Sequence, residues 1–165
     1  MATMQKITPF LWFEDKAEEA MAFYTSIFPD SKIVSTKYYP KGITEGPMAG
    51  FDGKVLTGVF ELMGQRFMCL DGGPVFQPSG AVSFLVECKD QAEIDRYWDA
   101  LTKDGDPKAQ QCGWCKDKYG FSWQIVPDMN QWLGDESEGA QRATQAMLGM
   151  KKIIIADLQK AYDGE

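Results

Sequence analysis

The sequence contains no histidine among its 165 residues. Histidine is the commonest general base near neutral pH and the commonest transition-metal ligand, so other residue types would have to take both roles. A serine or cysteine nucleophile activated by histidine is excluded as well. In other respects the composition is that of an ordinary globular protein, with 44% hydrophobic and 25% charged residues.

Positive charge is also scarce. The chain has only three arginines, Arg66, Arg96 and Arg142, and its formal net charge is −7. Nucleic acids and anionic membranes bind to basic protein faces, so we expect no nucleic-acid partner and no membrane partner. No apolar run approaches about 18 residues and no apolar leader precedes the first strand, which predicts a cytoplasmic protein.

The four cysteines do not predict a disulfide framework in an acidic chain of this kind. Cys112 and Cys115 form a CxxC motif, which is typical of a redox pair, of half a zinc site, or of two ordinary cysteines. The motif lies between a turn and a strand rather than at the start of a helix, which favours ordinary cysteines. Cys112 remains a candidate thiol in a ligand pocket.

One pattern occurs twice, 75 residues apart. Asp15-Lys-Ala-Glu and Asp90-Gln-Ala-Glu each follow a predicted strand, and each begins a predicted helix with an aromatic pair. Asp15 is predicted to cap the first helix, with Glu18 as its capping-box partner. About three strands follow each helix, so the repeated unit is βαβββ. The predicted divisions are a first module at 1–74, a second at 80–128 and a tail at 129–165.

The tail has no counterpart in the repeat. It is predicted to contain a helix over 138–147, a short β-branched strand over 152–156 and a helical turn over 157–162. Such a segment is suited to cover an exposed sheet edge or a dimer surface.

Several separated motifs resemble one known family. They are 23–31 (Phe-Tyr-x-x-Ile-Phe-Pro-Asp-Ser), 90–93 with Tyr97-Trp98, 112–114 with Lys116-Asp117, 123–127, and 150–153 with Ala161-Tyr162. The sequence is similar to the PhnB-like branch of the vicinal-oxygen-chelate superfamily, which includes glyoxalases and bleomycin-resistance proteins. That branch often carries the name 3-demethylubiquinone-9 3-methyltransferase. The resemblance implies an α+β fold in which two βαβββ modules form a cup, followed by a helical tail, and it implies a homodimer.

In that superfamily, two inward side chains of each module typically bind a divalent metal. By motif, the resemblance places these four ligand positions at Thr8, Ser83, Gln124 and a site around 69–71. Hydroxyls and a neutral amide are poor ligands for zinc, nickel or iron, and magnesium would need a carboxylate. We therefore predict that the ancestral metal site is lost and that no cofactor is bound.

The predicted ligand pocket follows from the same cup. Thr8, Phe10 and Trp12 alternate along the first strand and share one face, opposite Leu11 and Phe13. Small-molecule pockets combine such aromatic side chains with a few polar groups. The candidate pocket residues are Thr8, Phe10, Trp12, Cys69, Ser83, Cys112, Trp114 and Gln124.

Glu61 and Glu87 are the carboxylates inside predicted strands. A buried glutamate with a raised pKa would be suited to general-base catalysis, although a glutamate at a strand end more often lies at a wet rim. Glu61 is the candidate catalytic residue, by elimination only.

Three functions stay open. The first is binding of an unidentified small molecule without a metal. The second is an enzyme of the same superfamily, a lyase, dioxygenase or transferase, that uses a metal or acid–base chemistry on a small oxygenated substrate. The third is the methyltransferase of the family name. It lacks a cofactor motif, because Asp71-Gly-Gly-Pro74 is predicted to lead into a loop rather than a helix.

Overall fold

The structure is a computed structural model that describes residues 5–165. Within these residues the chain divides into two compact units, 5–77 and Pro78–Glu165. Both units combine a small β-sheet with helices, so the predicted α+β fold is confirmed.

The first unit has the order predicted for a βαβββ module. Its elements are β1 (Phe10–Phe13), α1 (Ala17–Ile27), β2 (Lys32–Tyr38), β3 (Val55–Leu62) and β4 (Gln65–Asp71). The strands lie in the order β1-β4-β3-β2, with β1 parallel to β4 and the other neighbours antiparallel. Helix α1 crosses from one edge of the sheet to the other, because β1 and β2 are the two edge strands.

Helix α1 packs on one face of this sheet. A side chain at Gly58 would lie 2.6 Å from Met21 Sδ and 2.7 Å from Cys69 Sγ, so the helix approaches β3 where that strand has no side chain. Leu11 and Phe13 of β1 are buried on the same side. The alternation of a strand then places the intervening residues on the opposite, open face.

The start of α1 corrects one prediction. Asp15 does not cap the helix; Lys16 occupies the cap position and makes no side-chain bond there. The N–H of Ala17 instead donates to Asp71 Oδ1 at 2.8 Å, and the N–H of Val55 donates to Asp71 Oδ2 at 2.8 Å. One buried carboxylate therefore joins the helix start to two strands of the sheet.

The second unit repeats the pattern with one strand fewer. Its elements are β5 (Ser83–Cys88), α2 (Gln91–Thr102), a 3-10 turn (Pro107–Ala109), β6 (Trp114–Lys116), β7 (Ser122–Pro127), a 3-10 turn (Met129–Gln131), α3 (Glu138–Leu148) and α4 (Ile155–Asp163). The strand order is β5-β7-β6, with β5 parallel to β7. The first of these 3-10 turns, Pro107–Ala109, follows α2 at the place in the chain order where the first unit has β2.

Helix α2 has a side-chain cap of the kind that the sequence predicts for the other helix. Asp90 Oδ1 accepts a hydrogen bond from the N–H of Glu93 at 2.9 Å, and Glu93 Oε2 accepts from the N–H of Lys89 at 3.0 Å. Ile94, Tyr97, Trp98 and Leu101 form the buried side of the helix, which packs on the sheet of its own unit.

The tail belongs to the second unit. Helix α3 is found close to its predicted bounds, but the predicted strand over 152–156 is absent from the structure, since α4 already begins at Ile155. The carbonyls of Met150 and Lys151 accept hydrogen bonds from the N–H groups of Cys112 and Gly113, both at 2.8 Å. These bonds cover the chain just before the edge strand β6, as expected for a segment that protects a sheet edge.

Over residues 5–165, none of the helices is both long enough and apolar enough to span a membrane.

Candidate functional site

The open face of the first sheet is aromatic and apolar at its centre. Phe10 pairs with Met68 and Trp12 with Leu70, so these four side chains lie on neighbouring positions of β1 and β4. Phe10 is 50% exposed, whereas Trp12, Met68 and Leu70 are half-buried. The sequence prediction that Phe10 and Trp12 share a face is confirmed.

Trp12 is held in place by polar and aromatic contacts. Its indole N–H donates to the carbonyl of Gly73 at 2.9 Å, and its ring meets the edge of Phe76 with centroids 4.9 Å apart. A side chain on Gly72 would lie 2.1 Å from the Trp12 ring, so glycine is required there. The Asp71-Gly-Gly-Pro74 segment thus fixes a tryptophan and leads into a loop, as predicted.

One end of the same face is charged. Glu61 lies at the end of β3 with its carboxylate 3.3 Å from Lys32 Nζ, and its backbone pairs with Arg66. Thr8 precedes β1, which begins at Phe10, and the backbone N–H and carbonyl of Arg66 bond to the side chain of Gln5, at 3.0 Å each. Among the described residues no pairing of Thr8 with β4 is seen, and the Glu61 carboxylate already has an ammonium partner.

Cys69 lies on the other face. It pairs with Leu11 and Gly58 under α1 and is fully buried. Burial, with Asp71 nearby, raises the pKa of its thiol to about 12. The structure thus places Cys69 in the core of the first unit rather than with the open-face candidates.

The open face of the second sheet brings two candidates into contact. Gln124 Nε2 donates to Ser83 Oγ at 2.9 Å across the parallel β5–β7 pair. Leu85 and Trp114 flank Gln124 in the register of the three strands and are 56% and 36% exposed. The group combines a neutral amide and a hydroxyl with an aliphatic and an aromatic surface.

Cys112 lies in a tight turn that leads into β6. Gln111 and Trp114 exchange both backbone hydrogen bonds, while Cys112 and Gly113 between them have φ values of +52° and +82°. Positive φ at both central residues is typical of a type I′ turn. Cys115, the other cysteine of the motif, is buried, and burial raises its thiol pKa to about 12. The motif is therefore a hairpin turn, not a redox pair at a helix start.

The sequence predicts that Asp117 supplies side-chain bonds to the turn before β7, and it missed only the burial of this residue, which is 2% exposed, and its bond to Trp123. Its Oδ2 accepts from the indole N–H of Trp123 at 2.8 Å, and its Oδ1 accepts from the N–H groups of Tyr119 and Phe121 at 2.9 and 3.1 Å. These bonds fix the β6–β7 turn and the strand that carries Gln124. The Asp-x-x-Gly turn was the available signal.

The side chains at the expected metal positions do not suit a metal. Thr8, Ser83 and Gln124 offer neutral oxygen atoms only, and the amide of Gln124 is bonded to Ser83. At the fourth position, around 69–71, Cys69 is buried under α1 and both oxygens of Asp71 accept from backbone N–H groups. Among residues 5–165, no three His, Cys, Asp or Glu side chains come together as a possible metal site. Zinc, iron and nickel prefer imidazole, thiolate or carboxylate ligands, so this donor set does not fit them.

The fold matches that of known glyoxalase-type proteins. A structure of protein PA1353 from Pseudomonas aeruginosa superimposes with a TM-score of 0.58 at 19% identity, over 75% of this chain and 97% of that chain. The FosX fosfomycin-resistance protein of Listeria monocytogenes, in a mutant complexed with Mn(II) and 1S,2S-dihydroxypropylphosphonic acid, gives a TM-score of 0.51 at 13% identity, covering 78% of this chain and 98% of that one. At these identities the two similarities show the fold class alone, an α+β fold of the glyoxalase type.

A closer similarity defines the family. Residues 5–126 match the family model described as 3-demethylubiquinone-9 3-methyltransferase. The PhnB protein of Bacillus cereus, a proposed 3-demethylubiquinone-9 3-methyltransferase, is 44% identical over 74% of this chain and 99% of its own, with a TM-score of 0.63. The chain therefore belongs to this PhnB-like family. A comparison with curated proteins gave no match.

Proposed function

We propose that this PhnB-like protein binds a small molecule on the open faces of its sheets, without a metal. The observation that carries the proposal is the Ser83–Gln124 hydrogen bond beside the exposed rings and aliphatic groups of the second sheet. Exposed apolar side chains with a few convergent polar atoms are the usual lining of a small-molecule site.

The chemistry of these residues favours a neutral, partly aromatic ligand. The amide and hydroxyl carry no charge, and each both donates and accepts hydrogen bonds. Phe10 and Trp12 of the first sheet supply flat apolar surfaces of the same kind. We include Thr8 and Trp114 in the proposed site, and we leave Cys69 out because it is buried under α1.

Replacement of Gln124 tests the proposal. We expect Gln124→Ala to weaken the binding of a small aromatic amide, such as benzamide, by about fivefold, since one good hydrogen bond contributes roughly 1 kcal/mol. Ligand-observed NMR titration measures the affinity. Gln145→Ala, on the exposed side of α3, is the matched control and should change nothing. Equal affinities of the two variants for every ligand tried would refute the proposed site.

An enzyme with a metal is the alternative that the FosX similarity brings to mind, although at 13% identity that similarity concerns the fold alone. Elemental analysis of purified protein decides between the two. About one tightly held divalent ion per chain would overturn the metal-free proposal, and Glu61 would then be the first carboxylate to replace.

The family description suggests a methyltransferase. The loop after β4 contains two glycines but no helix follows it within residues 75–82, so it lacks the strand-to-helix turn that cradles such cofactors in doubly wound folds. Titration with S-adenosylmethionine is the direct test. Saturable binding would reinstate this function.

We also propose a homodimer, as the superfamily resemblance implies. Phe10, Leu85 and Trp114 are large apolar side chains that are at least one-third exposed in the single chain. Sedimentation velocity should give twice the 18.5 kDa mass of the chain, and a monomer at all concentrations would contradict this proposal.

A further inference from the structure

The second unit contains a cleft of about 820 Å³ at the carboxyl ends of the parallel strands β5 and β7. This volume lies in the range of roughly 300–1,000 Å³ that small-molecule sites occupy. The cleft is separate from the Ser83–Gln124 pair, because Ser83 begins β5 whereas the cleft begins at Glu87 near its end.

The tail builds one wall of the cleft. Trp132, Ile154 and Ile155 line it with apolar surface, and the indole N–H of Trp132 donates to Gln159 Oε1 at 2.9 Å. Gln91, at the start of α2, holds this wall: its Nε2 donates to the carbonyl of Ile153 at 3.0 Å and its Oε1 accepts from the N–H of Ile155 at 2.9 Å. These hydrogen bonds therefore hold the wall in place without a bound ligand.

This wall lies outside the part of the chain that the family model matches. The family match ends at residue 126, and the Bacillus cereus relative is covered over 99% of its length by only 74% of this chain. The residues of the tail that line the cleft lie beyond the matched part. A site here would therefore be specific to chains that carry such a tail.

The remaining walls are acidic. Four carboxylates line the cleft, those of Glu87, Asp90, Glu93 and Asp128, against one ammonium, that of Lys89, 3.9 Å from Glu93. Two helix starts, of α2 and α4, also face this region, and each contributes roughly half a positive charge. The carboxylates exceed these positive contributions by about two charges, so the cleft favours a cation.

We infer that the cleft binds a small organic cation, a primary amine carried on an apolar or aromatic group. The ammonium would meet the carboxylates, and the apolar group would cover Trp132, Ile154 and Ile155. Asp90 and Asp128 each hold one oxygen in a hydrogen bond to a backbone N–H, of Glu93 and Asn130, so their carboxylates are already oriented. Such preorganisation lowers the entropy lost on binding.

Phenethylamine is a suitable probe, with 2-phenylethanol as its neutral analogue. Calorimetric titration of the full chain at low salt should show saturable amine binding with a Kd of roughly 1 mM or below, and at least fivefold weaker binding of the alcohol. Raising the salt to about 1 M should weaken amine binding, because the Debye length falls to about 3 Å. Absence of saturable amine binding, or equal affinity for the alcohol, would overturn the inference.

Two substitutions locate the site. Glu87→Gln removes an exposed carboxylate of the lining and should weaken amine binding about threefold to fivefold. Ala156→Arg places a guanidinium in the cleft from an exposed lining position and should weaken binding more than tenfold, whereas Ala156→Ser should not. Glu136→Gln, which lies outside the lining, is the charge-matched control.

Gln124→Ala separates this inference from the proposed function. It should leave phenethylamine binding unchanged, since Gln124 does not line the cleft. If Ala156→Arg leaves amine binding unchanged while Gln124→Ala abolishes it, the amine binds at the sheet face and the inference about the cleft is wrong.

Discussion

Asp71 and Asp117 are the buried carboxylates of the described residues, one in each unit, and both accept hydrogen bonds from backbone N–H groups. A carboxylate offers two oxygens, so one side chain can join backbone groups that are far apart in sequence. Asp71 joins a helix start to β3, whereas Asp117 joins a turn to the strand beside it. The same residue type therefore orders each sheet locally, next to the strand that carries candidate site residues.

Asp117→Ala is expected to destabilise the protein by roughly 3 kcal/mol, because the indole of Trp123 and two backbone N–H groups lose their acceptor while still buried. Chemical denaturation with tryptophan fluorescence measures the change. Asp128→Ala is the matched control: its side chain also accepts from a backbone N–H, that of Asn130, but it is half-buried, and the loss should be below about 1 kcal/mol. Equal losses for both variants would show that the indole bond contributes nothing.

At the scale of elements, the tail and the β6 hairpin depend on each other. In the hairpin turn, the N–H groups of Cys112 and Gly113 donate hydrogen bonds to the tail, where the carbonyls of Met150 and Lys151 accept them. A side chain at Gly113 would lie 2.8 Å from Val126, 3.0 Å from the carbonyl of Ile125 and 3.1 Å from Ile153. Glycine is therefore needed there both for its φ of +82° and for space.

Gly113→Ala should destabilise the second unit by about 2 kcal/mol or more, since strain from positive φ adds to a clash with backbone and core. Gly46→Ala provides the control, because Gly46 has a similar φ of +80° but no atom within 4 Å of an added side chain. The Gly46→Ala substitution should lower the free energy of unfolding only by the backbone strain, about 1 kcal/mol. Hydrogen exchange of the Cys112 and Gly113 amides should accelerate in the first variant only, and unchanged exchange would contradict the tail contact.

The elements that sequence predicts well are those set by local pattern. Helix α2 and strand β7 follow from spacing within a few residues. The start of α1 could not be predicted in the same way, because its cap, Asp71, lies 54 residues away from Ala17. The run at 152–156 has strand-forming residues, yet Ile153 is buried and Gln91 takes up the backbone groups around it, so tertiary contacts override β-propensity.

The candidate site was predictable where the repeat fixed the strand faces. Phe10 and Trp12 follow from alternation along one strand, whereas Thr8 lies before β1. Ser83 and Gln124 were predicted only as separate positions, and the hydrogen bond between them joins positions two residues apart in the β5–β7 register, where Gln124 pairs with Leu85. Cys69 was placed only approximately, and a shift of one residue along a strand reverses its face. The cleft was not predictable, because it depends on how the tail packs on α2.

At the scale of the whole chain, the four cysteines are all free thiols. Cys69, Cys88 and Cys115 are buried, and burial raises the pKa of each to about 12. Cys112 is half-buried in its turn. Thiolates rather than thiols react with disulfide reagents, so we expect one thiol per native chain to react with Ellman's reagent at neutral pH and four after denaturation. Rapid reaction of more than one native thiol would contradict the buried placements.

The same three thiols predict how stability depends on pH. An unfolded cysteine loses its proton near about pH 8.5, whereas the buried ones keep theirs to about 12, so the folded chain binds more protons between these values. Their stabilising contribution is complete below about pH 8.5 and is lost as the pH rises, by up to about 1.4 kcal/mol per thiol and pH unit. Denaturation at a series of pH values measures the slope of the free energy of unfolding against pH. Cys69→Ala should make this slope smaller, and a stability that stays constant to about pH 11 would refute the burial of these thiols.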